Sequence, residues 1–465
     1  MEKKRKTIIA NIFFVVPFSI FLVMLSSCGG DDDNADPEPE EPDPPTIIID
    51  PASLKQEMIG FGGALTWYSN WMTQSSKKAE IANLIFSDLG IDIIRFKNWY
   101  YPDNYPTTTS TDVMTDDNSK IHWDATNELY TLAKTGNPNV KILLSSWGPP
   151  QSLKSNNSTR QGTLKKDGSG FMYDAYADYW EDVLDHVPFN PDYVSIQNEP
   201  TYLNAGWTTC QWSSVETPTL PDYHVAFDKV YDKIKTRAHV PVMIGPESQD
   251  IPTYAAFANK LKDRTHCGAL GYHPYNINSG TSTAQIKSSL ESVGAITGKP
   301  NFMTEFSDNL DWFNTALFMQ GTLIYANSSG YIYWKLIWNT PASGTDAAII
   351  SVTQGGQYTV TPFYYLMKHF SKNIDAGYRR VDVSSSNTSL QLSAFLSPDN
   401  RKVTVIVINN GTGSVDVDLA VTGKTVNAIT ADQSREGDYY KPVTITSDGV
   451  MSLPPRSITT VVLNI

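Results

Sequence analysis

The sequence is poor in cysteine, histidine and positive charge. Three cysteines in 465 residues exclude a miniprotein held by a disulfide framework. Lys and Arg number 36 against 49 Asp and Glu, a formal net charge of −13, so there is no basic footprint for nucleic acid. The seven histidines are scattered. No His-Glu-x-x-His and no Cys-x-x-Cys occurs, so neither a zinc site nor a cofactor is indicated. Asp31–Asp33 lacks the glycine and later glutamate of a calcium loop. With 40% hydrophobic residues the chain is neither collagen-like nor wholly disordered, and its length suffices for one large domain and a small one.

Long hydrophobic runs are also scarce, and the one that stands out comes first. Lys3, Lys4, Arg5 and Lys6 precede an apolar run from Ile8 to Leu25, then Leu25-Ser26-Ser27-Cys28. A basic start, an apolar middle and small residues before a cut read as a secretory leader over residues 1–27. Leu-Ser-Ser-Cys resembles the bacterial lipoprotein box, which implies lipidation of Cys28 and a membrane anchor. A retained transmembrane helix is the competing reading, because the run is nearly long enough to span; Pro17 and the closing cysteine favour the lipoprotein. Gly29 to Pro45 holds eight acids and five prolines, too little apolar surface for a core, so residues 28–45 form an acidic tether. Gly-Gly-Asp-Asp-Asp after Cys28 resembles the surface-export signal of Bacteroidetes lipoproteins. The expected location is the extracellular face of the outer membrane, with the periplasmic face as the alternative. Cys210 and Cys267 then sit where disulfides are permitted, but the strand assignment puts them towards opposite barrel ends and disfavours a bond.

From residue 58 to 372, short apolar runs alternate with amphipathic stretches. The runs are Gly60–Leu65, Ile91–Phe96, Lys141–Trp147, Tyr193–Glu199, Pro241–Glu247, Ala269–Tyr275, Asn301–Phe306 and Tyr331–Leu336. Several are apolar at successive positions, as parallel strands covered on both faces are. Helical spacing recurs between them, at Ile81, Leu84 and Ile85 before Gly90, at Phe227, Val230 and Ile234, and at Ile286, Leu290 and Val293. Eight such units predict a (β/α)₈ barrel. A doubly wound sheet is the alternative, disfavoured because Gly60-Phe61-Gly62-Gly63 is not a dinucleotide fingerprint. From residue 373 to 465 the helical period stops. Leu390, Leu392 and Ala394 alternate, Val403–Ile408 is a strand, Asn410-Gly411 turns, and Val415, Val417 and Leu419 alternate again, predicting a β-sandwich. Residues 46–57 have no partner in the barrel and are expected to supply the sandwich with its first strand.

Catalytic groups of such barrels sit at the carboxyl ends of the strands. Two run endings carry a glutamate, Gln197-Asn198-Glu199-Pro200 on the fourth and Met303-Thr304-Glu305-Phe306 on the seventh. These strands are expected on opposite sides of the mouth, with the carboxylates facing each other. Hydrolysis with retention needs two carboxyl groups about 5–5.5 Å apart. A lone strand-end glutamate is more often solvated or salt-bridged; the pair in these contexts is far more specific.

Asn-Glu-Pro after strand four resembles the acid/base motif of retaining barrel glycosidases. Together with Gly60–Ala64, Cys210-Gln211-Trp212 and Thr304-Glu305-Phe306-Ser307, it resembles glycoside hydrolase family 30 over residues 46–465. The resemblance implies Glu199 as acid/base and Glu305 as nucleophile, in a barrel bearing a sandwich built from both chain ends. Arg95, ending strand two, is the natural cation for the nucleophile, and Asn198 a partner for the sugar 2-hydroxyl. His273 and Tyr275 end strand six; one of them is expected to meet Glu305 or a sugar hydroxyl. Trp147 and Trp334 end strands three and eight as candidate sugar platforms, and Trp67, Tyr68, Tyr202, Trp207, Trp212 and Trp312 lie in the loops above. Glu247 reads as a supporting or structural acid.

Around Gln197–Trp212 the sequence resembles the bacterial xylanase branch, which implies retaining endo-cleavage of β-1,4-xylan. Xylanases of that branch that require glucuronic acid carry an arginine after strand eight. Here Asn339 to Val352 holds neither Arg nor Lys, Lys335 is the nearest substitute, and Phe306 replaces a usual tyrosine. The expected enzyme is therefore a monomeric surface xylanase without strict need for the uronate. The alternatives are a β-1,6-glucanase of the same family and a non-catalytic glycan-binding lipoprotein.

Overall fold

The structure, a computed structural model, describes residues 46–102, 120–307, 309–340 and 347–465. The leader, Cys28 and the tether lie outside the described residues.

Eight parallel strands close into a barrel, Gly60–Leu65, Ile93–Lys97, Lys141–Ser145, Tyr193–Ser195, Val242–Ser248, Cys267–Tyr272, Asn301–Phe306 and Ser328–Tyr333, in chain order around the ring. The eighth closes on the first through Tyr331 opposite Phe61. The first strand is glycine-rich because it is crowded: a Cβ on Gly62 would stand 2.0 Å from the Ile93 carbonyl oxygen, and one on Gly63 2.7 Å from Leu336. Inside the ring Ala64, Ile93, Leu143, Ile244, Phe302 and Ile332 make a plug. Arg95 follows Ile93 by two, the strand period, and shares its face one layer nearer the mouth.

Several ends differ from the sequence reading. The fourth strand has three residues, not seven, because the chain leaves the ladder before Gln197 and Glu199 adopts a left-handed φ of 48°. The eighth starts and stops three residues early, which leaves Trp334 just beyond it. Strands four and seven are three positions apart around the ring of eight, not diametrically opposed. After the eighth strand a small sheet that the apolar pattern did not reveal, Ile337–Asn339, Ile350–Val352 and Tyr358–Val360, precedes the helix Pro362–Ser371.

The second layer is an eight-stranded sheet with a two-stranded ribbon, Val415–Val417 and Met451–Leu453. Ile47–Glu57 belongs to this sheet, antiparallel to Arg379–Ser384 and parallel to Leu419–Val421. The strand Lys402–Asn409 is buried from its second residue on, because its faces serve different cores. Val403, Val405 and Val407 pack within the sandwich, whereas Ile406 and Ile408 join the barrel's cluster. Gln320 ties the layers with bonds to Ser393 Oγ and the Ile406 carbonyl. Cys210 and Cys267 are both buried and free.

His369, fully buried at this seam, bonds Thr460 Oγ1 at 2.8 Å and Ser434 Oγ at 2.7 Å. Burial, with the Lys368 charge, pushes its pKa down to about 3. Above about pH 6.5 the ring is neutral in both folded and unfolded chains. As pH falls below that, the unfolded chain binds a proton that the folded chain refuses until about pH 3. Stability on the order of 5 kcal/mol is thereby lost across the window. His369→Gln should therefore show a smaller fall in Tm than the parent between about pH 7 and pH 4.5; parallel curves would assign the acid lability elsewhere.

Candidate active site

Three buried or half-buried acids sit where a strand end departs from regular geometry. Glu199 and Glu247 have left-handed φ values of 48° and 54°. Glu305 lies between Met303 and Phe306, where the register against the eighth strand slips. Such irregularities re-aim side chains that strict alternation would turn away.

Arg95, wholly buried, organises them. Its Nε donates to Ser145 Oγ at 3.2 Å and Glu247 Oε1 at 3.0 Å, Nη1 to Glu305 Oε2 at 2.6 Å, and Nη2 to Asn198 Oδ1 at 2.5 Å. One planar guanidinium thus fixes groups from four other strand ends, which a lysine's point charge could not do. Its carbon stands 4.7 Å from the centroid of Trp147. Tyr275 donates to the other Glu305 oxygen at 3.0 Å, and His273 Nδ1 meets Glu199 Oε1 at 3.0 Å while Nε2 meets Thr304 Oγ1 at 3.1 Å. Of the two residues expected after strand six, it is Tyr275 that reaches Glu305; His273 serves Glu199.

The electrostatics follow from burial and pairing. Burial would raise Glu247, but the Arg95 charge and His273 outweigh it and hold the carboxyl at about 2. Burial would lower His273, but the Glu305 charge, the bond to Glu199 and the Glu247 carboxylate 4.0 Å away lift it to about 9. Both ring nitrogens therefore carry protons at neutral pH. Burial pushes the Glu305 carboxyl above its usual range, with His273 and Arg95 pulling against it. Sequence reasoning ranked Glu247 as supporting. Its place beneath the site, fully buried against Arg95, is the part that the motif Gly245-Pro246-Glu247 did not reveal.

Above these groups opens a cavity of about 340 Å³. Trp67, Trp147, Trp334 and Trp338 wall one side and Tyr202 and Trp207 line it too. Trp67 meets Trp147, Trp334 and Trp338 edge-on with centroids 5.7–6.1 Å apart, an aromatic block that presents apolar faces. Gln249, Ser307 and Asn309 complete the lining and were not anticipated; only their position just past strand ends could have flagged them. Trp212 and Trp312 are corrections. The first is buried and donates to Gln197 Oε1 at 3.1 Å, bracing the segment before Glu199; the second donates to the Pro362 carbonyl and packs on Tyr439 of the sandwich. Tyr68 lies behind Trp338, not in the cavity. Among the described residues no Lys or Arg lines the cavity. Lys335 rests over the Trp338 ring at 5.1 Å; residues 341–346 of the stretch after strand eight lie outside the described residues.

Glu199, His273 and Glu305 each offer one donor atom within 4.8 Å of the others. The same atoms are already committed: Glu305 to Arg95 and Tyr275, and a protonated His273 to Glu199 and Thr304. A cation would have to displace a guanidinium and an imidazolium proton, so the donor set fits proton transfer better than metal binding.

Comparison with known proteins bears on both layers. Residues 377–461 match the glycosyl hydrolase family 30 beta sandwich domain. An endo-1,6-beta-D-glucanase of Aspergillus fumigatus is 25% identical over 64% of this chain and 64% of its own length. The chain thus spans just under two thirds of that relative. A glucuronoxylanase of Bacillus subtilis is 25% identical over 74% of this chain and 80% of its own. The catalytic domain of a family 30 xylanase from Talaromyces cellulolyticus shares the fold, with a TM-score of 0.71 and 19% identity over 90% of this chain and all of that one. The carboxyl-terminal layer is thus similar to the sandwich domain of glycoside hydrolase family 30, here completed by the strand that precedes the barrel.

Proposed function

We propose that the protein is a retaining glycosidase whose acid/base is Glu199 and whose nucleophile is Glu305. The observation that carries this is the approach of their carboxylate oxygens within 4.8 Å. That is close to the roughly 5–5.5 Å of retaining enzymes and short of the roughly 6.5–9.5 Å that admits water for inversion. In the first step Glu305 attacks the anomeric carbon while Glu199 protonates the departing glycosidic oxygen. In the second, Glu199 takes a proton from water, which attacks the same carbon and frees Glu305. Arg95 and Tyr275 hold one Glu305 oxygen each and favour the ionised nucleophile. His273 occupies Glu199 Oε1, which leaves Oε2 to carry the transferred proton. With Asn198 Oδ1 taken by Arg95, its amide N–H groups remain for the sugar 2-hydroxyl.

The finer reading is internal cleavage of β-1,4-xylan without strict need for glucuronic acid. A cavity walled by indoles and lined, among the described residues, by no cation suits an uncharged sugar. The leader and tether read from the sequence would hold the enzyme on the cell surface, where a polymer too large to import is met. A second reading, β-1,6-glucanase, is favoured by the similarity to the fungal glucanase. The purified protein should be given glucuronoxylan, unbranched xylan and β-1,6-glucan, with products read by mass spectrometry and the first anomer by NMR. Comparable cleavage of both xylans, releasing the β-anomer, is expected. Cleavage of glucuronoxylan alone would overturn the relaxed requirement, cleavage of the glucan alone would select the second reading, and an inverted anomer would end the double-displacement assignment.

A further inference from the structure

Two loops that line the active-site cavity have a second side. The segment after the sixth strand gives Tyr275 to the cavity and, on its outer flank, Asn278, Ser279 and Thr281 to a separate cleft of about 160 Å³. The segment after the seventh strand divides in the same way, with Ser307 and Asn309 inside and Leu310 and Asn314 outside. Asn309 Nδ2 donates to the Ile277 carbonyl at 3.0 Å, so a bonded ridge separates the two hollows. The far wall comes from the sandwich, through Gln391 and Asn410.

The lining has a definite chemistry. Among the described residues it joins amide and hydroxyl groups to an apolar floor of Ile286, Leu310, Leu317, Phe318 and Tyr325, and no acid contributes to it. The one cation among its described residues, Lys287, lies 3.7 Å from Glu291 and 5.4 Å from the centroid of Tyr325, so these residues offer no unbalanced charge. Asn278, Ser279 and Asn410 are exposed. The floor also contains a residue that local structure disfavours. Gly321 lies inside the helix Trp312–Ile324, where glycine costs roughly 0.8–1 kcal/mol against alanine. A Cβ there would stand 3.3 Å from Leu290 Cδ1 and 3.6 Å from the Tyr325 ring, so the missing side chain leaves room for these two residues beneath the cleft.

We propose that this cleft at the seam of barrel and sandwich is a second binding site for an uncharged stretch of the glycan chain whose other part is being cut. The proposal rests on the glycosidase reading. Hydrogen-bonding amides beside an aromatic wall, with no net charge, are the chemistry that recognises neutral sugar rings. Its position across the ridge lets one long chain engage both hollows, so the gain should appear with polymer and vanish with short substrates, as linked sites require.

The test compares the parent with the double variant Asn278→Ala/Asn410→Ala, both positions exposed. A Ser279→Trp variant, in which a bulky side chain crowds the entrance, guards against one pair of substitutions being too mild. On polymeric xylan KM should rise roughly fivefold with kcat kept, while kcat/KM on a short aryl xyloside stays at the parent value. The same variants in a Glu305→Ala background should lose roughly fivefold in xylan binding by affinity electrophoresis. Equal losses on polymer and short substrate, or none on polymer, would overturn the second site. Binding loss in the silent background with no hydrolysis by the parent would instead uphold the cleft and sink the glycosidase reading.

Discussion

Glu305→Ala is expected to cut turnover of xylan by about 10⁴-fold or more, equivalent to at least roughly 5.5 kcal/mol of barrier, while glycan binding survives. In the proposed mechanism the carboxylate makes the covalent bond, and among the described residues of the seventh strand end no other acid is present to replace it. The fold should tolerate the change, because Arg95 keeps its bond to Glu247 and is not left as an unpaired buried charge. Truncation also leaves a space facing the Arg95 guanidinium, which invites a small anion. Azide should therefore restore cleavage of an aryl xyloside, attacking the anomeric carbon as the aryl oxide departs and yielding the α-glycosyl azide. Retained xylan turnover in the variant, or a β-azide product, would remove Glu305 from the nucleophile's role. A parent protein that binds xylan and cuts nothing would mark a binding lipoprotein.

Glu199→Gln should behave differently according to the leaving group. On xylan, whose departing sugar needs a proton, the loss should be roughly 10²–10⁴-fold. On a substrate with an acidic phenol as leaving group the first step needs no acid, so it should survive. The second step then lacks its base and the glycosyl-enzyme accumulates, giving a burst of phenol followed by a slow steady state. The amide keeps the size of the acid and its contact with His273, so a loss of equal size on both substrates would indicate displaced geometry and refute the acid/base role.

What could be read from the sequence was whatever a strand rhythm makes periodic. Eight apolar runs and the later change to pure alternation specify a barrel and a sandwich, and the comparisons agree on that architecture. Arg95 was legible because it keeps step with Ile93 inside a regular strand. Glu199 and Glu305 were legible through their motifs, yet their orientation was not, since it depends on a left-handed backbone at one and a slipped register at the other. Glu247 was legible only as a supporting or structural acid, because its partner Arg95 is not visible in a strand-end motif. The tryptophans show the reverse failure. Trp147 just past a strand end and Trp212 in a loop carry the same side chain, and only the burial of Trp212 and its hydrogen bond to Gln197 tell the structural one from the cavity wall. The small sheet after the eighth strand escaped because three-residue strands are too short to show a period.

The strand Ile47–Glu57 has a consequence for the order in which this chain can be assembled. It is made before the barrel, yet both its neighbours in the sheet, Arg379–Ser384 and Leu419–Val421, are made after it. During synthesis its backbone donors and acceptors have no sheet partner until the rest of the chain has emerged. The barrel can close on its own eight strands first; the sandwich cannot. Contacts between such distant segments are slow to form and leave an open strand edge in the interval. Completion of the sandwich sheet thus needs its first described strand to meet segments made after the whole barrel, and that pairing places the barrel between chain segments that share one sheet.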